Sequence, residues 1–400
     1  MKHTTTTPSG EPARIYMVFL GLLAAIAPLA TDMYIPALPE LMDMFRSSPS
    51  VTQLTITSFI AGMAIGQFIT GPISDDQGRK KPLFLGMALC MVSSLACVFV
   101  PSIEWFIALR FVQGFTGSIG VVIARAIARD ICHGPALTRF FSFLMFINGL
   151  SPILAPVVGG QLLRFWDWRS IFVCLFGVSL ALTIGTVIMK ETLPPEKRLS
   201  GGLKSMFLSF FTLWRDSYFM GHCALQCFAF AAFFSYISGG AFIFQHMFHL
   251  SPQEFSYVFG LTGISLLVTI VVVGKLTGTV EDWKILRFSL VQAFVGSVVL
   301  FFAFWWNGPM WFVIVCIIVT LSTIASVSTS SFSLAMNAQG NRAGGASALI
   351  GFFSTISGAI MAPLVGIMGD QTAMPMAIII VSGETGAILC YYMFIRRHHQ

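Results

Sequence analysis

Three ionisable side chains lie inside long apolar runs of the chain: Asp32, Arg110 and Glu384. Charged groups are expensive in lipid, so each is a candidate functional residue. A rise of about 1.5 Å per residue places Asp32 and Arg110 at a similar depth, roughly 6–8 Å below one membrane boundary. Burial penalises the charged form of a carboxyl group, whereas an arginine stays charged. Equal depth allows a direct pair or contact through a shared water-filled cavity. Either arrangement could bind and release a proton, with Arg110 expelling it on approach. The alternative is a static ion pair, or two side chains that extend to the interface.

Glu384 lies among small residues near the middle of the last apolar run, in the sequence SGETG at 382–386. Small neighbours let another helix approach closely and form hydrogen bonds to the carboxyl group. Glu384 is therefore either a second protonation site or a neutral glutamic acid held by such bonds.

The seventh apolar run combines polar and aromatic side chains. His222 and Gln226 are one helical turn apart, and Phe230, Phe233 and Phe234 follow. In a transport protein these rings could line a cavity for large, flat or cationic cargo. The alternative is that they pack in the core or face lipid, as most aromatic residues of membrane helices do.

The composition indicates that most of the chain is surrounded by lipid. Hydrophobic residues make up 56% and charged residues 10% of the 400 residues, and the mean hydropathy is +0.82; soluble domains carry about 25% charged residues. The net charge of +6 is distributed between apolar runs, so no nucleic-acid partner is predicted. The eight cysteines imply no disulfide framework. Cys223 and Cys227 lie one helical turn apart, a weak metal-like spacing, but the cysteines are interpreted as small core residues, and neither a metal nor a cofactor is predicted. The sequence has no convincing nucleophile–base constellation or phosphate-binding loop, which argues against an enzyme.

Apolar runs long enough to cross a bilayer predict twelve membrane helices. Nineteen of the 23 Lys and Arg residues fall on the side of the two termini, and three fall on the other side. This excess of positive charge predicts that both termini are cytosolic. The predicted ranges are 15–36, 51–72, 83–100, 105–125, 138–160, 169–189, 219–244, 254–274, 286–305, 309–330, 345–367 and 372–395.

The longest polar stretch predicts a division of the chain into halves. Residues 190–216 are predicted to be a cytoplasmic linker between six-helix bundles at 1–189 and 217–400. A faint repeat supports duplication, because MFRSSP at 44–49 is similar to MFHLSP at 247–252. At the same spacing, Gly71 corresponds to Gly274.

A charged turn, GPISDDQGRKK at 71–81, joins predicted helices 2 and 3. Such a turn indicates that a helix leaves the bilayer, reverses tightly and re-enters. Its residues Gly71, Asp75, Gly78 and Arg79 resemble the loop motif of the major facilitator superfamily and are predicted to act as a conformational hinge. Asp76 stands where that family usually has a basic residue, which would weaken the charge contact between the halves.

Further motifs carry the same resemblance. Arg110, Gln113 and Gly114 in RFVQG match the helix 4 arginine motif of proton-coupled members. The sequence SPILAPVVGG at 151–160 is similar to the motif of drug exporters, with Ala155 in place of its first glycine. The string TDMYIPALP at 31–39 resembles the Bcr/CflA branch of drug:proton antiporters. A proline bend and close helix contact also make the helix 5 motif a predicted hinge, at Pro156, Gly159 and Gly160.

The resemblance implies two six-helix bundles around a central cavity lined by helices 1, 4, 7 and 10. The bundles would rock to give alternating access, and proton entry would drive export of drugs or small metabolites across the bacterial inner membrane. A proton-coupled importer or exchanger of a nutrient on the same fold is the alternative, and a monomer is expected. The predicted cavity residues are Asp32, Tyr34, Gln113, Gln226, Phe230, Phe233, Phe234, Ser322 and Ser326.

Overall fold

The part of the chain that the structure describes folds into twelve long helices. A computed structural model describes residues 14–132, 134–198, 213–277, 279–337, 339, 343–367, 369 and 372–398. Within these residues the regular structure is helical, apart from one isolated bridge between Thr277 and Val280. The helices are α1 (Arg14–Asp32), α2 (Pro49–Gln77), α3 (Lys80–Val98), α4 (Ile103–Ile131), α5 (Gly134–Phe165), α6 (Arg169–Ile188), α7 (Ser217–Phe242), α8 (Pro252–Leu276), α9 (Asp282–Trp305), α10 (Met310–Leu321 and Thr323–Asn337), α11 (Ala343–Val365) and α12 (Met374–Cys390).

Eleven of the helical segments are long and apolar enough to cross a membrane, counted over the described residues. The remaining helix, α11, contains the shorter apolar stretch Leu349–Val365. The predicted all-helical fold with twelve membrane helices is therefore confirmed.

Several predicted helix ends were wrong. Helix α1 ends at Asp32, four residues early, and a 3-10 turn (Ile35–Ala37) and a short helix (Leu38–Phe45) follow; Pro36 lacks an N–H and disfavours helical geometry in the residue before it. Helix α2 continues past residue 72 to Gln77, so Gly71 lies inside a helix and not in a turn. Polar residues at the end of α2 do not stop a helix; Gly78, with φ of 93°, does.

The repeat seen in the sequence has a structural counterpart. Arg46 and His249 occupy equivalent positions and both have left-handed φ values, 49° and 56°. In each half a serine then caps the next helix, since Ser48 accepts from the N–H of Val51 and Ser251 from that of Glu254. The same chain reversal therefore precedes α2 and α8.

The helices pack as two bundles of six, α1–α6 and α7–α12, with equivalent neighbours in each. In the first bundle α2 packs on α4, α3 on α6 and α1 on α5; in the second α8 packs on α10, α9 on α12 and α7 on α11. The bundles meet along α2 with α11 and along α5 with α8. The proposed linker, 190–216, lies partly outside the described residues, and the domain boundaries remain a prediction.

The bundles are closed against each other on the side away from the termini. Gln53 donates to the carbonyl oxygen of Ser238 at 3.2 Å, and Gln245 donates to that of Pro36 at 3.0 Å. Ser50 also donates to the carbonyl oxygen of Pro363 at 3.0 Å. These bonds cross between the bundles, so the free space between them lies mainly on the side of the termini.

Candidate transport site between the two bundles

A large cavity of about 720 Å³ separates the bundles on the side of the termini. Its walls come from α2, α4, α7, α10 and α11. Of the predicted cavity residues, Gln226 and Phe230 line it. Gln226 is held in place because its side chain accepts a hydrogen bond from Ser354 of α11 at 3.1 Å.

A second cavity of about 160 Å³ contains the candidate proton-binding residue. Three of the predicted cavity residues line it: Asp32, Phe233 and Phe234. Both bundles contribute to its walls. Asp32 is buried at 8% exposure. Within the described part of the chain its carboxyl group has no hydrogen bond or ion pair. The other lining residues are Pro28, Thr31, Met63, Pro152, Tyr236, Ile237, Phe259, Thr262, Gly263 and Leu266.

A cluster of three aromatic rings lies between the two cavities. The ring centroids of Phe230, Phe233 and Phe234 are 5.8–6.2 Å apart, so the three rings touch. Phe230 faces the large cavity, whereas the other two rings face the cavity of Asp32. The large cavity is therefore separated from Asp32 by packed rings in this conformation.

Arg110 is fully buried, but it is not paired with Asp32. Its Nη1 donates to the carbonyl oxygen of Ala30 at 3.1 Å and to Oε1 of Gln113 at 2.6 Å. Helix α1 ends at Asp32, so the carbonyl of Ala30 lies in its last turn, where backbone acceptors lack helical partners. Of the two arrangements left open by the sequence, a direct ion pair is absent among the described residues. Arg110 instead ties α4 to the end of α1.

Aromatic rings surround the Arg110 guanidinium inside the first bundle. Its central carbon lies 4.5 Å from the ring centre of Tyr34 and 4.3 Å from that of Phe59, distances at which a cation is attracted to a ring face. Nε and Nη2 have no hydrogen-bond partner among the described residues. Tyr34 itself shares a hydrogen bond with Thr55 at 2.6 Å. Tyr34 and Gln113 are thus held in the packing of the first bundle.

Two predicted serines and Glu384 belong to the second bundle. Ser326 is buried and shares a hydrogen bond with Ser289 of α9 at 2.6 Å. Ser322 lies at the break in α10, and its hydroxyl donates a hydrogen bond to the carbonyl oxygen of Val319. Glu384 is buried on α12, and its Oε2 has no hydrogen-bond partner among the described residues. The neighbouring Gly383 packs against the backbone of Phe228, which brings α12 close to α7.

The loop between α2 and α3 forms a polar cluster, which we call the first-bundle clamp and define as Asp75, Arg79, Asp130 and Glu191. Arg79 is buried and bonds Asp75 at the end of α2 and, at 2.9 Å, Asp130 at the end of α4. The carboxylate of Glu191, which follows α6, accepts from the backbone N–H of Arg79 at 2.9 Å and of Lys80 at 3.1 Å. The clamp therefore joins the terminal-side ends of α2, α3, α4 and α6.

Glu191 and Lys80 cap each other's helices in this cluster. Glu191 occupies the N-terminus of α3, where backbone donors are unpaired and negative charge is favoured, and Lys80 Nζ donates to the carbonyl of Val187 at the end of α6 at 2.8 Å. Burial acts to raise the pKa of Glu191, but four backbone N–H donors outweigh it and hold the pKa below its ordinary value of 4.5. Sequence reasoning missed this role; a carboxylate soon after an apolar run was its only signal.

Adjacent glycines of the predicted helix 5 hinge face different partners. A side chain at Gly159 would overlap the backbone of Met33 in the first bundle, and one at Gly160 would overlap Ser256 of α8 in the second. Pro156 lies inside α5, as does Pro152. Gly159 thus allows α5 to pack closely on Met33 of its own bundle, and Gly160 allows it to pack closely on α8 of the second bundle. A hinge function for these glycines stays a prediction.

Sequence reasoning also missed two arginines of the large cavity. Arg125 and Arg129 of α4 line it, and both are exposed to it. Their spacing of four residues puts them on one helix face, which is the signal that could have found them. No group of three or more side chains able to hold a metal occurs among the described residues.

A paired bundle of twelve membrane helices with a cavity between the halves is the architecture of a membrane transporter. The family model of the Major Facilitator Superfamily matches residues 20–363. The chain belongs to that superfamily, and it is a multi-pass membrane transporter and not an enzyme.

Relatives with high coverage support this assignment. The chain is 39% identical over 385 residues to an uncharacterized MFS-type transporter (YdgK) of Bacillus subtilis, covering 95% of this chain and 96% of that one. It is 28% identical over 386 residues to a bicyclomycin resistance protein homolog of Haemophilus influenzae, covering 96% and 97%. Over about half of each chain, 48% and 50%, it is 30% identical to multidrug resistance protein D of Escherichia coli. These matches confirm the resemblance to drug-resistance transporters noted in the sequence.

Solved structures show the same fold. A point mutant of the nucleoside transporter NupG matches with a TM-score of 0.78 at 12% identity, covering 96% of this chain and 98% of that one. A D-xylose-proton symporter matches with a TM-score of 0.76 at 14% identity and the same coverage.

Proposed function

We propose that this transporter exports drugs or small metabolites in exchange for protons by alternating access. The proposal places it in a bacterial inner membrane as a monomer, with both termini and the large cavity on the cytosolic side. Relatives named for bicyclomycin and multidrug resistance support efflux. The positive charge on the side of the termini supports the orientation.

The observation that carries proton coupling is the position of Asp32. Its carboxyl group faces a small, mostly apolar cavity that both bundles enclose, and it lacks a hydrogen-bond partner among the described residues. A buried carboxylate without a partner is strongly disfavoured, so the group would be neutral while the cavity is closed. When the bundles move apart and water enters, the charged form is favoured and the proton leaves. Proton binding is thus tied to the arrangement of the bundles.

Arg110 serves this cycle indirectly in the proposal. It bonds the carbonyl of Ala30, two residues before Asp32, so a movement of α1 relative to α4 changes the distance between the guanidinium and the carboxyl group. Glu384 is the second candidate proton site, because it too is buried with an unpartnered oxygen. It does not line either cavity.

Drug-dependent proton release from inverted membrane vesicles tests the proposal. We expect release with wild type, its loss in Asp32→Asn, and full release in the control Asp43→Asn, an exposed carboxylate of the short helix after α1. Wild-type release retained by Asp32→Asn would exclude Asp32 as the coupling group. Cargo accumulation driven by the proton gradient in cells would instead support the nutrient importer.

A further inference from the structure

The described lining of the large cavity carries positive charge without negative charge. Among the sixteen described residues that line it, Arg125 and Arg129 are the only charged ones, and neither Asp nor Glu occurs. The two arginines lie four residues apart on α4, so their side chains lie side by side on one helix face. Both are exposed to the cavity.

Neither guanidinium is paired with another described residue. Among the described residues, no hydrogen bond or ion pair reaches Arg125 or Arg129. The adjacent acid on α4, Asp130, is occupied by Arg79 at 2.9 Å and by the hydroxyl of Thr192 at 3.2 Å. Two like charges at this spacing repel each other on a helix, and a bound anion would relieve that repulsion.

The other lining residues offer apolar surface and hydroxyl groups. Phe68 of α2 and Phe352 of α11 contact each other across the two bundles, with ring centres 6.3 Å apart, and Phe332 of α10 lines the same space. Ser347 and Thr355 of α11 add polar atoms. A ligand in the cavity can therefore contact both aromatic rings and the two arginines.

We propose that the cargo bound in this conformation is an amphiphile with an anionic group, such as a carboxylate, sulfonate or phosphate. The acid binds Arg125 and Arg129, whose planar guanidinium groups match such oxygens in paired hydrogen bonds. The apolar part packs on the phenylalanine rings. This inference rests on the proposed function, since it treats the large cavity as the cargo site, and it disfavours the cationic cargo that the aromatic run alone would accept.

Binding of one scaffold in three charge states tests the inference. The probes are dansyl-undecanoic acid, its primary amide and the corresponding amine, titrated by fluorescence into the purified full chain in phosphatidylcholine nanodiscs. We expect the acid to bind roughly tenfold more tightly than the amide, because charge-assisted hydrogen bonds to arginine are the stronger ones, and the amine to bind most weakly. Equal affinities for acid and amide would overturn the proposal.

Substitutions of the two arginines test whether they cause the preference for the acid over the amide. Arg125→Gln and Arg129→Gln should each reduce the preference for the acid over the amide several-fold, whereas Arg125→Lys should keep part of it because the charge remains. The matched control is Arg164→Gln, an arginine at the other end of the fold in α5. Binding of the amide checks that each variant is folded. A preference that persists in both glutamine variants would overturn the proposal.

A lipid headgroup has the same anionic chemistry, so lipid identity is measured as well. Addition of phosphatidylglycerol to the nanodiscs should leave the affinity for the acid within about twofold if the cavity selects cargo. Displacement of the acid by phosphatidylglycerol in wild type would assign the arginines to lipid and contradict the proposal.

The outcomes separate this inference from the proposed function. Acid-selective binding without drug-dependent proton release would retain the anion site and reject proton exchange. Proton release driven by the amide and the amine, with no preference for the acid, would retain the exporter and reject the anion site.

Discussion

The turns between α2 and α3 and between α8 and α9 are equivalent positions in the two bundles, yet they are held by different chemistry. In the first bundle, the clamp of Asp75, Arg79, Asp130 and Glu191 joins four helix ends. In the second, Lys284 pairs with Glu281 at 2.7 Å on the surface, and Asp282 accepts a hydrogen bond from Ser333 of α10 at 2.7 Å. Equivalent helices of the two bundles thus share their packing, while their connecting turns differ.

The two bundles therefore differ in how strongly the terminal-side ends of their helices are fixed. A buried ion pair restrains helices because removing either partner leaves an uncompensated charge. An exposed pair contributes little. The first bundle should therefore keep its internal arrangement during transport, and the turn of the second bundle should tolerate more change.

Removal of the Arg79 side chain should cause the largest loss of stability of the substitutions considered. Arg79→Ala leaves Asp130 without its ion-pair partner at 14% side-chain exposure, and we expect a loss of about 3 kcal/mol of stability. In the second bundle, Lys284→Ala removes an exposed pair and should cost less than about 0.5 kcal/mol. Thermal unfolding in detergent measures both. Equal destabilisation by the two substitutions would show that the clamp does not distinguish the bundles.

Alanine substitution of a glycine in the first turn, Gly78, and of one at the helix end before the second turn, Gly274, should have effects of opposite sign on stability. Gly78 has φ of 93°, and an added side chain would meet Glu191 Oε2 at 2.6 Å, so Gly78→Ala should destabilise by about 1–2 kcal/mol. Gly274, the repeat equivalent of Gly71, is helical with no atom in the way, so Gly274→Ala should stabilise by up to about 1 kcal/mol. Melting temperatures of the two variants test the pair, and a shift in the same direction for both would contradict it.

Loss of the Glu191 charge should have a smaller effect that depends on pH. Glu191→Gln weakens the cap of α3 and should cost about 1 kcal/mol at neutral pH. The folded-state pKa of Glu191 lies below 4.5, so its contribution is present above 4.5 and is lost as the pH falls through the folded value.

The measurement is the difference in melting temperature between wild type and Glu191→Gln as the pH is lowered from neutrality. It should shrink towards zero below the folded pKa. A difference that stays constant with pH would mean that the carboxylate charge does not stabilise the turn.

The number of helices could be predicted from the sequence, because the apolar runs are set by bilayer thickness. Helix ends could not, since polar residues such as those at 74–77 continue a helix until Gly78 changes the backbone direction. The break within α10 at Ser322 had no proline or glycine to signal it.

The candidate site was predictable residue by residue but not in its arrangement. Asp32, Gln226 and Phe230 lie on cavities, and the polar and aromatic residues within apolar runs indicated them. Depth along the membrane suggested that Asp32 and Arg110 could meet, but depth does not define rotation about a helix axis. That rotation turns Arg110 towards Ala30 and the rings of its own bundle.

The ring cluster of Phe230, Phe233 and Phe234 has a thermodynamic consequence. Because these rings separate the two cavities, a ligand in the large cavity and a proton on Asp32 can influence each other through the packing of the same three side chains. Linkage then requires reciprocity: the factor by which protonation changes the ligand's dissociation constant equals the factor by which the ligand changes proton affinity. In the proposed exchanger, the dependence of cargo binding on protonation would therefore be set by a coupling free energy of how these rings pack, and not by contact between the two ligands.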